Sequence, residues 1–207
     1  MFLSRVELDP KRRDTMRALA SPSMLHGAIE TGFMGERKRN LWRIDYLGEH
    51  CYLMVLSEDE PNFTELTAQF GVKEDWQTKS YDPLLERITQ GQCWQFRLCA
   101  NPVQSEPIKG EKRGKIRAHV TQEQQKQWLM ERAERYGFLL KTDDFDVVDT
   151  RWYRFKKRGQ HEITLRTATF EGTLQITNAE QFIQTLINGV GREKAYGCGL
   201  LTIAKQR

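Results

Sequence analysis

Long hydrophobic runs are missing from this chain of 207 residues. No apolar stretch approaches the ~18 to 20 residues that a membrane-spanning helix needs, and the mean hydropathy is -0.66. An integral membrane protein is therefore excluded. The opening MFLSRVELDPKRRD turns charged within a few residues and has no apolar h-region, so no signal peptide is expected. Cysteine is scarce: Cys51, Cys93, Cys99 and Cys198 are too few and too scattered for a disulfide framework. Reduced thiols and a cytoplasmic location follow as expectations. Cys93 and Cys99 lack zinc spacing, and on a strand their even separation puts both on one face, where buried apolar thiols are expected. H-E-x-x-H, G-x-S-x-G and carboxylate clusters suited to a two-metal nuclease are also absent, so neither metal nor cofactor is expected. What is present, 39% hydrophobic and 10% aromatic residues, suffices for a core in one medium domain or two small ones.

Charge is weak in total and strong in pattern. The formal net charge is +4, yet the windows 11–17, 36–43, 109–117 and 151–158 together hold 18 basic and 3 acidic residues. The rest of the chain is acidic. Basic stripes on an acidic body suit a polyanion, because each neutralised phosphate releases counterions. Any single window also fits an ordinary solvated face.

The chain order is repetitive. FLSRVEL (2–8) alternates as a strand, and 11–31 reads as helical, with Pro22 opening a second piece capped by Ser21 and Leu25, Ile29 and Phe33 forming its buried stripe. LWRIDYLG and EHCYLMVLS form a hairpin around Gly48-Glu49. Phe63, Leu66 and Phe70 suggest a short helix closed by Gly71, and CWQFRLCANP (93–102) is a further strand. The pattern then returns. TQEQQKQWLMERAERYG is a helix capped by Thr121 and ended by Gly137. Two arms, 144–155 and 161–177, flank the tip KKRGQ, Asn178 or Thr177 caps AEQFIQTLING, and YGCGLLTIA is the last strand. In the second arm the apolar parity shifts after Leu165, which predicts a bulge near Arg166 to Thr167. Two successive βαββαβ units imply an α+β protein of two tandem ferredoxin-like domains with antiparallel sheets, 1–105 and 106–207.

NGVGREKAYGCGLL (188–201) carries four glycines between a helix and a strand. It fails as a dinucleotide fingerprint, with Lys194 where glycine is needed, and as a P-loop, with Cys198 where lysine is needed. Two readings remain: a backbone that approaches a phosphate closely, with Arg192 and Lys194 supplying charge, or a turn needed only for chain reversal. Among the histidines, His50, His119 and His161 read as surface or structural. His26 borders the stripe of its helix, about 100° from Leu25, with Glu30 one turn on to pair with it. It is either a partly buried helix histidine or an acid–base group.

MFLSRVEL, RLCANPV (97–103) and above all FEGTLQI (170–176), followed by NGVGREKAYGCGLLTIA, resemble the CasE subunit of type I-E CRISPR Cascade, and the similarity runs from the first strand to the last. This resemblance implies an endoribonuclease that works without metal or cofactor. It binds the stem-loop of each CRISPR repeat, cuts at the 3′ base of the stem, and stays bound beside the other Cascade subunits, with no membrane involved. Attack by the 2′-hydroxyl leaves a 2′,3′-cyclic phosphate and a 5′-hydroxyl. The family's catalytic histidine maps onto His26. Relatives carry tyrosine where this chain has Ser23, so the second proton-transfer group is open among Ser23, Tyr196 and the cations of 109–117; a binding subunit with weak or lost catalysis is the alternative. For RNA binding the resemblance implies Arg154, Lys156, Lys157 and Arg158 on a basic hairpin, and Lys112, Arg113, Lys115 and Arg117 along the cleavage side. Gly189, Gly191, Arg192 and Lys194 follow in the glycine-rich loop, with Gly197 and Gly199 beside them. The windows 11–17 and 36–43 are open between RNA contact and plain solvent-facing charge.

Overall fold

The computed structural model describes residues 1–107, 114–156 and 162–205. Its first half runs β1 (Phe2–Leu8), α1 (Arg13–Ala20), α2 (Pro22–Glu30), β2 (Leu41–Leu47), β3 (His50–Ser57), α3 (Thr64–Phe70) and β4 (Gln77–Ser80). Pro22 takes the first turn of α2, where its missing N–H costs nothing, and so separates two helices at one kink. The Ser21 hydroxyl does not cap that helix as expected; it lies 3.1 Å from the Ser23 hydroxyl instead. Gly48, at φ +62°, makes the two-residue turn that pairs Leu47 with His50. The four strands lie in the order β2-β3-β1-β4.

The second half runs α4 (Asp82–Leu85), β5 (Cys93–Ala100), β6 (Val103–Glu106), β7 (Lys115–Ala118), α5 (Gln122–Ala133), β8 (Phe138–Leu139), β9 (Phe145–Lys156), β10 (Glu162–Ile176), α6 (Ala179–Asn188) and β11 (Leu201–Ala204). Thr121 and Gln124 exchange the hydrogen bonds of a capping box at the start of α5, and Asn178 caps α6 by accepting from Gln181 N at 3.0 Å. The second sheet has the order β11-β5-β10, with β9 and the short β8 on the far edge of β10. Strands β5, β9, β10 and β11 with α5 and α6 thus repeat the topology of the first half. Two tandem ferredoxin-like units with antiparallel sheets are present, as the repeated element order predicts.

Two expectations about strands need correction. The sequence pattern assigns the strand at 93–102 to the first unit; β5 instead pairs with β10 and β11 and opens the second. The strand that completes the first sheet is β4, whose sequence QTKS has no alternating apolar residues because it is a short, largely exposed edge. Its Thr78 hydroxyl meets the Ser4 hydroxyl at 2.9 Å. The parity change in β10 is also not a bulge at Arg166 to Thr167. The register slips between Thr169 and Phe170, where Val148 of β9 has no opposite number. Parity changes because both faces of the strand are covered. Ala168, Phe170, Leu174 and Ile176 belong to the second unit's core, while Leu165, Thr167 and Thr169 are buried on the opposite face, where Thr167 and Thr169 line a small cavity with Pro22, Leu25 and Trp42 of the first unit.

The two units are locked by a buried arginine. Arg43 of β2, only 2% exposed, grips Asp45 through two nitrogens at 2.7 and 2.8 Å and donates to the carbonyls of Arg97 and Leu200 and to the Thr202 hydroxyl. Arg97 of β5 reaches back to Asp45 at 3.0 Å. A guanidinium offers five donors in a fixed fork, so one side chain satisfies a carboxylate on its own sheet and acceptors on the other. Arg43 falls within one of the basic stripes, but its charge is used inside the protein.

A candidate active site between the two units

His26 lies on α2, with 21% of its side chain exposed. Beyond the helix, Gly32 is pressed against Phe63, where a Cβ would come within 2.7 Å of the ring, and its carbonyl accepts from Asn62 N at 2.9 Å. This close approach turns the chain, and the segment 34–39 runs back past the histidine before Asn40 leads into β2. Arg37 Nη2 thereby stands 2.9 Å from His26 Nε2, and Arg37 Nε is 2.8 Å from Glu30 Oε2. Guanidinium nitrogens only donate, so Nε2 is the acceptor and the imidazole is neutral, with its proton on Nδ1. That nitrogen is 3.9 Å from Glu30 Oε1.

Two adjoining cavities share His26, Glu30, Arg37, Lys38 and Asn40; the one of about 260 Å³ is completed by Arg39, Lys194 and Ala195. Lys194 comes from the glycine-rich loop, so both units build the wall. The four cations differ in availability. Lys38 is held by Glu58 at 3.1 Å and Asp59 at 2.9 Å, which raise its pKa, and Arg37 is held by Glu30. Among the described residues no carboxylate pairs with Arg39 or Lys194. Burial, followed by the positive charge of Arg39, pushes the Lys194 ammonium below the ordinary lysine range, against a smaller opposing pull from Tyr136. Burial and Arg39 thus disfavour the charge on Lys194, and an anion in the cavity would offset that cost.

The glycines of this loop stand where a side chain would crowd its neighbours. Gly189 is buried, and a Cβ on it would lie 2.9 Å from Leu41. A Cβ on Gly191 would meet the Trp128 ring at 3.3 Å, and its N–H goes to the Tyr136 hydroxyl at 3.1 Å. Gly199, at φ +95°, leaves the space along which the Lys194 stem runs; a Cβ would be 3.1 Å from Lys194 Cγ. The loop's packing role accounts for the glycines, and its charge is carried by Lys194 and the exposed Arg192.

Other expected residues stand elsewhere. Ser23 bonds Ser21 and lines a different groove, with Gly27, Thr31 and Glu65. Tyr196 packs edge-on against Phe155 at 5.0 Å between the units, and burial raises its pKa. Lys115 and Arg117 are exposed on β7, Arg117 paired with Glu106, and Arg154 and Lys156 are exposed on β9. None of these six lines the cavities at His26. Lys112, Arg113, Lys157, Arg158 and His161 lie outside the described residues. His50 is exposed against Glu7 at 2.6 Å. Burial, with Arg132 nearby, lowers the pKa of His119. Of the two cysteines expected to be buried on one strand face, Cys93 is exposed and Cys99 is half-buried, whereas Cys51 and Cys198 are buried. In the window 36–43, Arg37, Lys38 and Arg39 are exposed and also line the cavity at His26; the signal is three consecutive cations just beyond the helix that carries His26.

A histidine and cations without carboxylate partners, held between tandem ferredoxin-like units, define a class of protein suited to cutting a phosphodiester. The family model described as CRISPR associated protein matches residues 1–205, and the chain belongs to that family. It is 30% identical over 219 residues to the CRISPR-associated endoribonuclease Cse3 of Thermus thermophilus, covering 99% of this chain and 100% of the relative. It is 27% identical over 165 residues, 75% of each chain, to the CRISPR system Cascade subunit CasE of Escherichia coli. The structure of CRISPR endoribonuclease Cse3 bound to 19 nt RNA matches with a TM-score of 0.83 at 27% identity, covering 99% of this chain and 100% of that one. The chain is an endoribonuclease of the Cse3/CasE type. The resemblance seen in its carboxy-terminal glycine pattern is borne out. No helix among the described residues is long and apolar enough to cross a membrane.

Proposed function

We propose that this endoribonuclease binds the stem-loop of CRISPR repeats in precursor RNA, cleaves at the 3′ base of the stem, and remains on the product as a cytoplasmic Cascade subunit. The observation that carries this reading is His26 in one cavity with Lys194 and Arg39. In the reaction the substrate's 2′-oxygen forms a bond to phosphorus, the bond from phosphorus to the 5′-oxygen breaks, and a 2′,3′-cyclic phosphate and a 5′-hydroxyl result. Two protons move, one off the 2′-hydroxyl and one onto the leaving oxygen. Neutral His26, with its lone pair on Nε2, is in the form that accepts a proton; protonated, it is the form that gives one. Arg39 and Lys194 face the place where phosphorane charge would build. Arg37 occupies Nε2 in the free protein, and a phosphate that draws the guanidinium away exposes that nitrogen to the reacting hydroxyl.

We further propose that the folding units divide within residues 81–92 and not near 105, because β5 is the first strand of the second sheet. Arg154 and Lys156 serve the RNA stem, and Lys115 and Arg117 the cleavage side, outside the cavities that His26 lines. Relatives' Cascade membership and the Cse3–RNA complex support the partner assignment.

Single-turnover cleavage of a cognate repeat hairpin in EDTA tests this reading. His26→Ala is expected to slow cleavage by about 10²- to 10⁴-fold while hairpin affinity stays near that of the wild type. Full binding with no cleavage by the wild type would leave a stem-loop-binding subunit without catalysis. Cleavage only with added metal would overturn the proton-transfer scheme.

A further inference from the structure

Trp152 is the most exposed aromatic side chain among the described residues, at 57%. Its strand alternates. Arg151, Tyr153 and Phe155 turn towards the first unit, with Arg151 4.4 Å over the Tyr46 ring and Phe155 against Tyr196. Trp152, Arg154 and Lys156 share the opposite face. Directly across the hairpin from Trp152 is Arg166, whose guanidinium carbon sits 5.0 Å from the indole centroid and whose Nη2 donates to the Val120 carbonyl at 2.6 Å. Val120 lies two residues beyond β7. The indole is thus fixed between the two basic segments, β7 and the outer half of β9.

An exposed indole contributes little to the core, so packing does not explain it. Its neighbours on the sheet face argue against an apolar docking patch, since Arg154, Lys156 and Arg166 surround it with only Glu162 as counter-charge across the hairpin among the described residues. An aromatic ring backed by a guanidinium, beside cations spaced along a strand, is the composition of a nucleobase-stacking platform. Bases inside a duplex are already stacked on one another, so the ligand must be unpaired. We propose that Trp152, backed by Arg166, stacks on one unpaired base adjoining the RNA stem, while Arg154 and Lys156 hold its phosphates. This rests on the hairpin-RNA reading above, and adds a second point of recognition away from the cut.

The test measures affinity at fixed salt for a repeat hairpin and for a series in which each unpaired nucleotide in turn is made abasic, which removes the base and keeps the phosphate. Wild type is expected to lose about tenfold for one abasic position, and Trp152→Ala to bind the intact RNA about tenfold more weakly and to ignore that lesion. Trp152→Phe, which keeps a ring, should recover part of the loss and rules out misfolding as the cause. If Trp152→Ala weakens every RNA alike, or none, the platform is wrong. If it leaves RNA affinity intact but blocks assembly with the other Cascade subunits, the face is a protein contact and the proposal falls. Failure of the wild type to bind any hairpin would remove the hairpin-RNA reading itself, and is seen without any variant.

Discussion

The two units share one topology and divide the labour. In the first, the connection after β1 is a split helix that carries His26, and the following turn brings Arg37 back over it. In the second, the connection after β5 is extended by the β6–β7 hairpin before α5, and the loop before β11 carries Lys194. The first unit offers the imidazole together with Arg37, Lys38 and Arg39, and the second closes the same cavity with Lys194. Neither alone holds the cavity. A duplicated fold therefore makes one site by diverging in its connections while its strands keep their order.

The comparison depends first on the clasp that holds the units together. Arg43→Met removes the two-pronged partner of buried Asp45, leaving it only Arg97 at 3.0 Å, and takes one donor from the carbonyls of Arg97 and Leu200. Breaking a buried pair by deleting one member costs about 3–5 kcal/mol. Denaturant unfolding should show that loss, and the single transition should separate into two as each sheet melts alone. An unchanged midpoint with one sharp transition would mean that apolar contacts such as Leu41 and Leu56, and not the clasp, join the units.

Lys194→Met tests the second unit's share of the chemistry. Losing one preorganised charge at the developing phosphorane should cost about 10²- to 10³-fold in the cleavage step, with hairpin affinity changed far less. The pH profile gives a sharper sign. Burial and Arg39 lower the Lys194 pKa, so the charged form is lost at a lower pH than for an ordinary lysine, and kcat/KM should fall on the alkaline side as it is lost. Lys194→Arg, charged throughout, should carry activity to higher pH. An alkaline limb identical in wild type and Lys194→Arg would take the lysine out of the rate-determining charge.

Much of this is legible in the chain, and the failures have physical causes. Strands with alternating apolar residues and helices with capping residues announce themselves, since β3, β9, α5 and α6 each write their burial or their caps into local pattern. Strand β4 does not, because an exposed edge needs only backbone pairing. With β4 silent, the pattern draws β5 into its place. Strand β10 misleads by parity because a strand covered on both faces has no polar side. At the site, His26 and Lys194 lie in segments that stand out, whereas Arg37 and Arg39 stand in a charge run like any other. Their meaning depends on a turn at Gly32 that only the packing against Phe63 reveals.

Ser23 gives the smallest expected effect and the finest division between the units. The Cse3/CasE resemblance places a tyrosine there, one turn before His26, which would give the first unit both proton-transfer groups. In this chain the Ser23 hydroxyl is taken up by Ser21 and faces the groove of Gly27, Thr31 and Glu65. A serine hydroxyl also has too high a pKa to give up a proton as readily as a phenol. Ser23→Ala should therefore alter the single-turnover rate by no more than about threefold, the range of a surface substitution. A tenfold loss or more would put both groups on α2 and reduce the second unit to charge alone. With the rate preserved, the partner of His26 comes from elsewhere in the cavity, and if that group is Lys194 and not Arg39 of the first unit, the pairing of two diverged copies becomes a requirement of the chemistry.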